Sequence, residues 1–283
     1  MKILNRLLAF TILPAMLASC HTIKVQEIEM DYTQALRGNI KAMKVSDIYY
    51  KVEGIDTIKQ ITEIFQEFDE NKNLIKQIDI FPNQSFHTTY YYYNSKELLD
   101  SSVSVDQNFI KYSKTQFGYN TKNQKIDYRH YSSNKLTTRK QWEYDAKGNR
   151  AVERMFSSIR KSSNGTTIFN YDYKKRFYTL KTLDSNNVLK HRHASKTYFN
   201  KRGLLVKTEF YEDQELTKLK SYSVSTYDKS GNLQSQISYD AEGKIRNKSI
   251  YVNRYDFKGN IIERNLYLDD KLRTGQQMEI EYL

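Results

Sequence analysis

The chain contains a single cysteine, Cys20, so no disulfide can form within it and the fold must be held by packing and sheet hydrogen bonds. Two prolines in 283 residues argue against Pro-punctuated linkers. Ten glycines leave little material for a Gly-rich phosphate loop opening a helix, and there is no Gly-x-Ser-x-Gly nucleophile turn. The nearly uncharged apolar run, Leu7 to Leu17, is shorter than the roughly 20 residues a spanning helix needs. What is plentiful is tyrosine, 24 residues against one tryptophan, in a chain that is 28% charged. A polar, Tyr-rich and Pro-poor composition points to β-sheet with thin apolar faces rather than to disorder or to an α/β enzyme with long buried strands.

Lys2 and Arg6 precede that apolar run, and small residues close it, the pattern of a secretory leader. The ending Leu-Ala-Ser-Cys at 17–20 resembles the lipobox of bacterial lipoproteins. The resemblance implies cleavage before Cys20 and lipid on its sulfur and amine, which would also account for a lone thiol in a secreted chain. His21 stands where such families carry the aspartate of inner-membrane retention, and no acidic run follows. The expected location is therefore the outer membrane, on the periplasmic face, with surface display as second choice. Residues 1–19 read as the leader, 20–57 as a lipidated tether and first strand, and 58–283 as a repeat domain.

The repeat is counted from aromatics that precede Asp or Asn. They fall at Phe68, Tyr93, Tyr119, Tyr144, Tyr171, Phe199, Tyr227 and Tyr255, and are followed by Asp69, Asn94, Asn120, Asp145, Asp172, Asn200, Asp228 and Asp256. Successive markers are 25 to 28 residues apart, a fixed period that signals a repeat architecture. Asp and Asn bond their own backbone two residues on, and Gly supplies positive φ, so "YDAKGN", "YDKSGN" and "YDFKGN" read as tight reversals. A second reversal follows each marker by about 12 residues, leaving segments of strand length. The expected fold is all-β: a long antiparallel meander of about sixteen strands in eight repeats, forming a curled, open sheet. A single-layer sheet and a barrel are the alternatives. In "NLQSQISY", period-two alternation places Leu233, Ile237 and Tyr239 on one face. "SSNGTT" at 162–167 reads as a longer hairpin tip.

These motifs resemble the YD, or RHS-like, repeats of bacterial surface and secreted proteins, most closely from Tyr144 onward. The resemblance implies a β-strip. In large family members the strip encloses a toxin, but here the Pro-rich core motif and a C-terminal toxin are missing. A toxin-related or immunity role is implied by the resemblance alone.

Candidate chemistry is sparse. His191 and His193 share a strand face, yet no third ligand has metal-site spacing, so no metal and no cofactor is expected. With Asp184 they form the least implausible acid–base group. The recurring turn carboxylates argue for turn-making, because catalysis needs one special site. In "HTTYYYYN", Tyr90 and Tyr92 occupy one face and Tyr91 and Tyr93 the other, where rings can stack on sugars. The formal charge of +12 is spread along the chain without a dense arm or a nucleic-acid module. Lipid head groups, glycans, cell-wall polymers or an envelope protein are better partners than nucleic acid. The expected function is a non-enzymatic, lipid-anchored envelope protein acting as scaffold or binding surface, with glycan or cell-wall binding as the alternative.

Overall fold

The computed structural model describes residues 24–25, 36–53 and 56–283, excluding the side chains of 51–53, 56–57, 189 and 191–193. The leader, Cys20, His21 and most of the tether lie outside the described residues. Eighteen strands follow one another: β1 (Ile40–Glu53), β2 (Asp56–Phe68), β3 (Leu74–Ile80), β4 (Phe86–Tyr93), β5 (Leu99–Asp106), β6 (Lys111–Tyr119), β7 (Lys125–Ser132), β8 (Lys135–Tyr144), β9 (Arg150–Ser157), β10 (Gly165–Asp172), β11 (Phe177–Leu183), β12 (Leu189–Phe199), β13 (Leu205–Tyr211), β14 (Leu219–Tyr227), β15 (Leu233–Asp240), β16 (Ile245–Tyr255), β17 (Ile261–Leu268) and β18 (Lys271–Tyr282). Each pairs antiparallel with its sequence neighbours.

The sheet is not open. β1 pairs with β18 from Ile40–Tyr282 to Tyr49–Thr274, so the meander closes into an 18-stranded barrel. The open curled sheet expected from the sequence is thus replaced by its barrel alternative, and about sixteen strands by eighteen. The reason is twist. So many strands coil until the two edges meet, and joining them satisfies two rows of otherwise unpaired backbone groups. The narrowest seam is β9–β10, where only Gly165–Met155 through Ile168–Val152 are paired. It adjoins the loop 158–164, whose 3-10 turn is Lys161–Ser163.

Seven of the eight marker turns share one geometry; in the eighth, Asp172 pairs with Phe177, its Oδ1 accepts from Lys175 N–H (2.9 Å), and the positive-φ residue is the fifth, Arg176. In the turn at 145–149, Gly148 N–H donates to Asp145 O (3.0 Å) and Asp145 N–H donates to Asn149 O (2.9 Å). Asp145 Oδ1 accepts from the backbone N–H of Lys147 and Asn149, both at 2.9 Å. The same Asx pattern recurs at Asn94, Asn120, Asn200 and Asp256, and the i+4 half of it at Asp69 and Asp228. The fourth turn residue has positive φ, supplied by glycine at Gly148, Gly203, Gly231 and Gly259, but by Lys72, Glu97 and Asn123 in the early repeats. A left-handed non-glycine residue costs about 1 kcal/mol. Glu97→Gly should therefore raise stability by about 1 kcal/mol in urea denaturation.

A register slip follows seven of these turns, including the one opposite Tyr227. It breaks the simple period-two reading. Leu233 pairs with Tyr227 and leaves the face of Ile237 and Tyr239. The bulge is local backbone geometry that alternation cannot report.

Which face lies inside follows from register and hand. Stepping from β1 toward higher strand numbers, paired positions climb toward the C-terminal ends of the odd-numbered strands. With the fixed hand of sheet twist, this sets the direction in which the barrel is wound. The narrow pairs flanking two-residue hairpins, Ser132–Lys135 and Leu268–Lys271, then turn the side chains of Ser132 and Leu268 inward.

Following the register around the wall gives a lumen lined at mid-height by short hydroxyls. Cross-strand pairs there include Thr89–Ser104 (2.9 Å), Thr167–Thr182 (3.0 Å) and Thr197–Thr208 (3.3 Å). Side chains converge on a concave face, which favours short ones there, and longer ones such as Tyr91, Tyr128 and Tyr178 share the inner face between them.

At the marker-turn mouth the lumen carries an inner rim of aromatics. Tyr93, Tyr119, Tyr144 and Tyr227 donate their hydroxyls to the carbonyls of Leu74, Leu99, Lys125 and Leu205, each about one repeat back. Tyr255 and Tyr282 instead donate to the turn carboxylates of Asp228 and Asp256. The apolar core is a small cluster on this inner face: Ile40, Met43, Val45, Phe68 and Met278, with Leu36 packed against it. Among the described residues no large side chain is fully buried.

Burial works against the charge of Asp228, but donation from Tyr255 and from the Asn232 and Gly231 backbone outweighs it and holds the carboxyl below its usual range. A folded-state value below the unfolded one contributes stability above the unfolded value of about 4 and loses it as pH falls through the folded value. Asp228→Asn should thus be less stable than the native chain at neutral pH, and the two should converge as pH falls through the lowered folded-state value of Asp228 in an acid-unfolding series.

Candidate ligand-binding surfaces

The outer wall carries charge at mid-strand, for example Lys114, Arg129, Arg139, Lys196 and Lys248. A lipid-facing barrel wall needs an apolar band, and a midplane Lys or Arg there costs about 2–4 kcal/mol. This wall is built to stand in water. Arg129 and Arg139 both pair with Asp127, at 2.6 and 2.8 Å.

One part of that wall departs from a mere mixture of charges. From β11 to β15, aromatic rings and lysines alternate on the outside. Phe177 and Tyr198 lie 5.9 Å apart, and Lys196 Nζ sits 4.2 Å from the first ring and 5.1 Å from the second. Lys207 Nζ lies between Tyr198 (5.8 Å) and Tyr222 (5.0 Å). Tyr222 stacks on Tyr239 at 4.7 Å with their planes 13° apart. Glu209 secures the centre, accepting from Lys207 (2.7 Å), Tyr211 (2.8 Å) and Tyr198 (3.0 Å). Burial disfavours its charge, but these three donors prevail and hold the carboxyl below its usual range. Tyr211 is pushed well above the usual phenol range, by burial and then by Glu209. The stripe crosses five strands, a width of about 19 Å. Half-buried rings fixed by packing offer flat faces for the C–H face of a sugar, and the ammonium groups between them offer donors to its hydroxyls or acidic groups.

The lumen holds a second polar group. Gln66 donates to Gln77 (2.9 Å), Gln77 donates to Asp79 (2.9 Å), and His87 Nε2 lies 3.0 Å from Asp79. Asp47 accepts from Gln276 at 2.7 Å on the same inner face. Burial raises the Asp79 carboxyl above its usual range despite His87 and Gln77.

The sequence candidates are distributed differently. Tyr90 and Tyr92 face outward, and Tyr92 is exposed. Tyr91 and Tyr93 face the lumen, the latter in the rim. The run of four therefore forms no common platform. The side chains of His191 and His193 lie outside the described residues. Asp184 is engaged in its turn, accepting from Asn186 (2.8 Å) and Val188 (2.9 Å). Among the described residues no group of three or more His, Cys, Asp or Glu side chains has the arrangement of a metal site. Sequence reasoning missed Tyr198, Tyr222, Tyr239, Lys196 and Lys207. Their only signal is that aromatic and Lys positions on five successive strands share one face, which requires the register.

No protein-family model and no curated protein sequence matches the chain. Among solved structures it is similar to a porin-like protein from Bacteroides uniformis, with 10% identity, a TM-score of 0.46, and 86% of this chain and 96% of that one covered. It is also similar to a LolA superfamily protein from Nitrosomonas europaea, at 10% identity and TM-score 0.21, over 89% of this chain and 92% of that one. A third similarity, to the TcdB2-TccC3 structure, has 12% identity and TM-score 0.30, and covers 78% of this chain but 15% of that one.

Proposed function

We propose that the chain is a non-enzymatic, lipid-anchored protein of the outer membrane, on its periplasmic face, whose barrel serves as a scaffold and binding surface. The observation that carries this reading is the uniformity of the wall. The same turn recurs at seven of the eight marker positions, tyrosine hydroxyls clasp the rim onto neighbouring carbonyls or turn carboxylates, hydroxyl pairs band the lumen, and the charged exterior suits an aqueous compartment. The lipobox-like ending at Cys20 supplies the anchor. Labelling with palmitate tests that half: label should enter the native chain and be lost in Cys20→Ala, and a chain equally labelled in both would refute the anchor.

A second reading, glycan or cell-wall binding, is favoured by the outward stripe from Phe177 to Tyr239. The expected result is that envelope oligosaccharides bind the native barrel, and that Tyr198→Ala with Tyr222→Ala weakens binding at least tenfold, since stacking contributes about 1 kcal/mol or more per ring. Equal affinity of native and doubly substituted protein by titration calorimetry would remove the stripe as the site. The toxin-related or immunity role remains an implication of the repeat resemblance.

A further inference from the structure

The two mouths of the barrel are chemically opposite. The eight marker loops (69–73, 94–98, 120–124, 145–149, 172–176, 200–204, 228–232 and 256–260) hold eleven Lys and Arg against seven Asp and Glu. Every one of them contains a lysine. Lys72, Lys96, Lys122, Lys147, Lys201 and Lys229 are exposed. The turn carboxylates at Asp145, Asp228 and Asp256 are instead occupied by backbone N–H groups and by Tyr173, Tyr255 and Tyr282. The rim therefore presents lysine tips outward and tucks these three acids in, while Glu70 and Glu97 stay exposed. The loops at the other mouth (81–85, 106–110, 133–134, 158–164, 184–188, 212–218, 240–244 and 269–270) hold four Lys and Arg against nine Asp and Glu.

Two further observations belong to the basic rim. Phe257, at the tip of the last marker loop, is 88% exposed, the most exposed large hydrophobic side chain among the described residues. The N-terminal chain also meets this rim twice. Val25 N–H donates to Asn149 Oδ1 (2.9 Å), and Arg37 N–H donates to Asn260 Oδ1 (2.6 Å). Asn149 and Asn260 occupy the same turn position, eight strands apart in a ring of eighteen, on nearly opposite sides of the mouth. Cys20 precedes Val25 by five residues, a reach of at most about 18 Å. A lipid on Cys20 would thus enter its membrane close to the basic rim.

We propose that this rim is a docking surface for anionic phospholipid head groups, with Phe257 set into the interface, so that the barrel stands on the membrane with its acidic mouth pointing away. The proposal rests on the anchor reading for its geometry, while the charge and the exposed phenylalanine are independent of it. Lysines near an anionic surface act additively, each changing partitioning about fivefold, and an aromatic at head-group depth adds an apolar contact.

Nitroxide labels distinguish the two mouths in the full-length protein. Ser230→Cys places one on the basic rim and Ser185→Cys places one on the acidic rim. In vesicles of phosphatidylethanolamine and phosphatidylglycerol, the label at 230 should be several-fold more accessible to oxygen, relative to a water-soluble nickel chelate, than the label at 185. Equal accessibility, or the reverse order, would overturn the proposal. Mass spectrometry reports separately whether Cys20 carries lipid. If it does not, the Cys20→Ser chain with the same labels is added to the vesicles from solution, and the same comparison decides the docking. Lys72→Glu with Lys122→Glu and Lys229→Glu should lower partitioning of that unanchored chain by 100-fold or more and leave its thermal unfolding unchanged. Unchanged partitioning, or retention by peptidoglycan sacculi in place of vesicles, would overturn it as well.

Discussion

Gly165→Ala should open the barrel at its narrowest seam. Gly165 has φ +156°, and a Cβ there would lie 2.0 Å from the backbone oxygen of Leu183 and 3.1 Å from its carbon. No rotamer relieves that contact, because both clashing atoms are main chain. Either β10 leaves β11 or it shifts against β9, where only four residue pairs hold the closure. The expected loss is about 3 kcal/mol or more in the denaturation midpoint, the range of severe backbone strain. Hydrogen exchange should quicken in 150–157 and 165–172 before the rest of the wall. The two exposed strand edges should also promote association, visible by light scattering. Gly243→Ala is the control. It too has positive φ, +89°, but its added Cβ would meet only the Tyr222 hydroxyl at 3.6 Å. It should cost about 1 kcal/mol and leave the seam closed.

The second large effect is expected at Asn260, which is 3% exposed. Its amide donates to Arg37 O (2.8 Å) and to the Tyr282 hydroxyl (2.7 Å), while its Oδ1 accepts from Arg37 N–H. Asn260→Ala removes these three bonds and the longer one to Asp256 Oδ2 (3.4 Å), and strands both backbone groups of Arg37. The loss should be about 3 kcal/mol, because each orphaned polar group costs about 1–3 kcal/mol. Leu36 and Arg37 should become sensitive to protease at the same time. Asn232 occupies the equivalent turn position and bonds Tyr255 and Asp228 but none of the described residues of the N-terminal chain. Asn232→Ala should therefore cost less and leave that segment protected. Equal effects at the two positions would show that Asn260 acts only as a turn residue.

These expectations separate what local chemistry encodes from what assembly adds. The marker turns were legible because Asp or Asn followed by Gly-Asn carries its own geometry: the Asx bond and the positive-φ residue are both made within five residues. Strand length and antiparallel order followed from turn spacing. Register did not, because the slip after a marker turn moves Leu233 to the face opposite Ile237 without any change in residue type. The tyrosines at 90–93 are a run in sequence, yet the register sends them alternately outward and inward. The stripe through Tyr198, Tyr222 and Tyr239 is scattered in sequence and continuous on the wall.

Closure was the other illegible feature. Nothing in the composition of β1 or β18 marks them as partners, and their pairing joins residues more than 220 positions apart. It arises because the twist of seventeen intervening hairpin contacts accumulates until the first and last edges meet. The sequence by itself determined where the chain reverses, which residue types line each reversal, and that the result is a single antiparallel ribbon. Only the tertiary structure decided that the ribbon closes, which face becomes the lumen, and that the lysine-bearing turns gather at one mouth and the acidic ones at the other. Turn chemistry is local, whereas closure and inward facing depend on the summed twist of every strand.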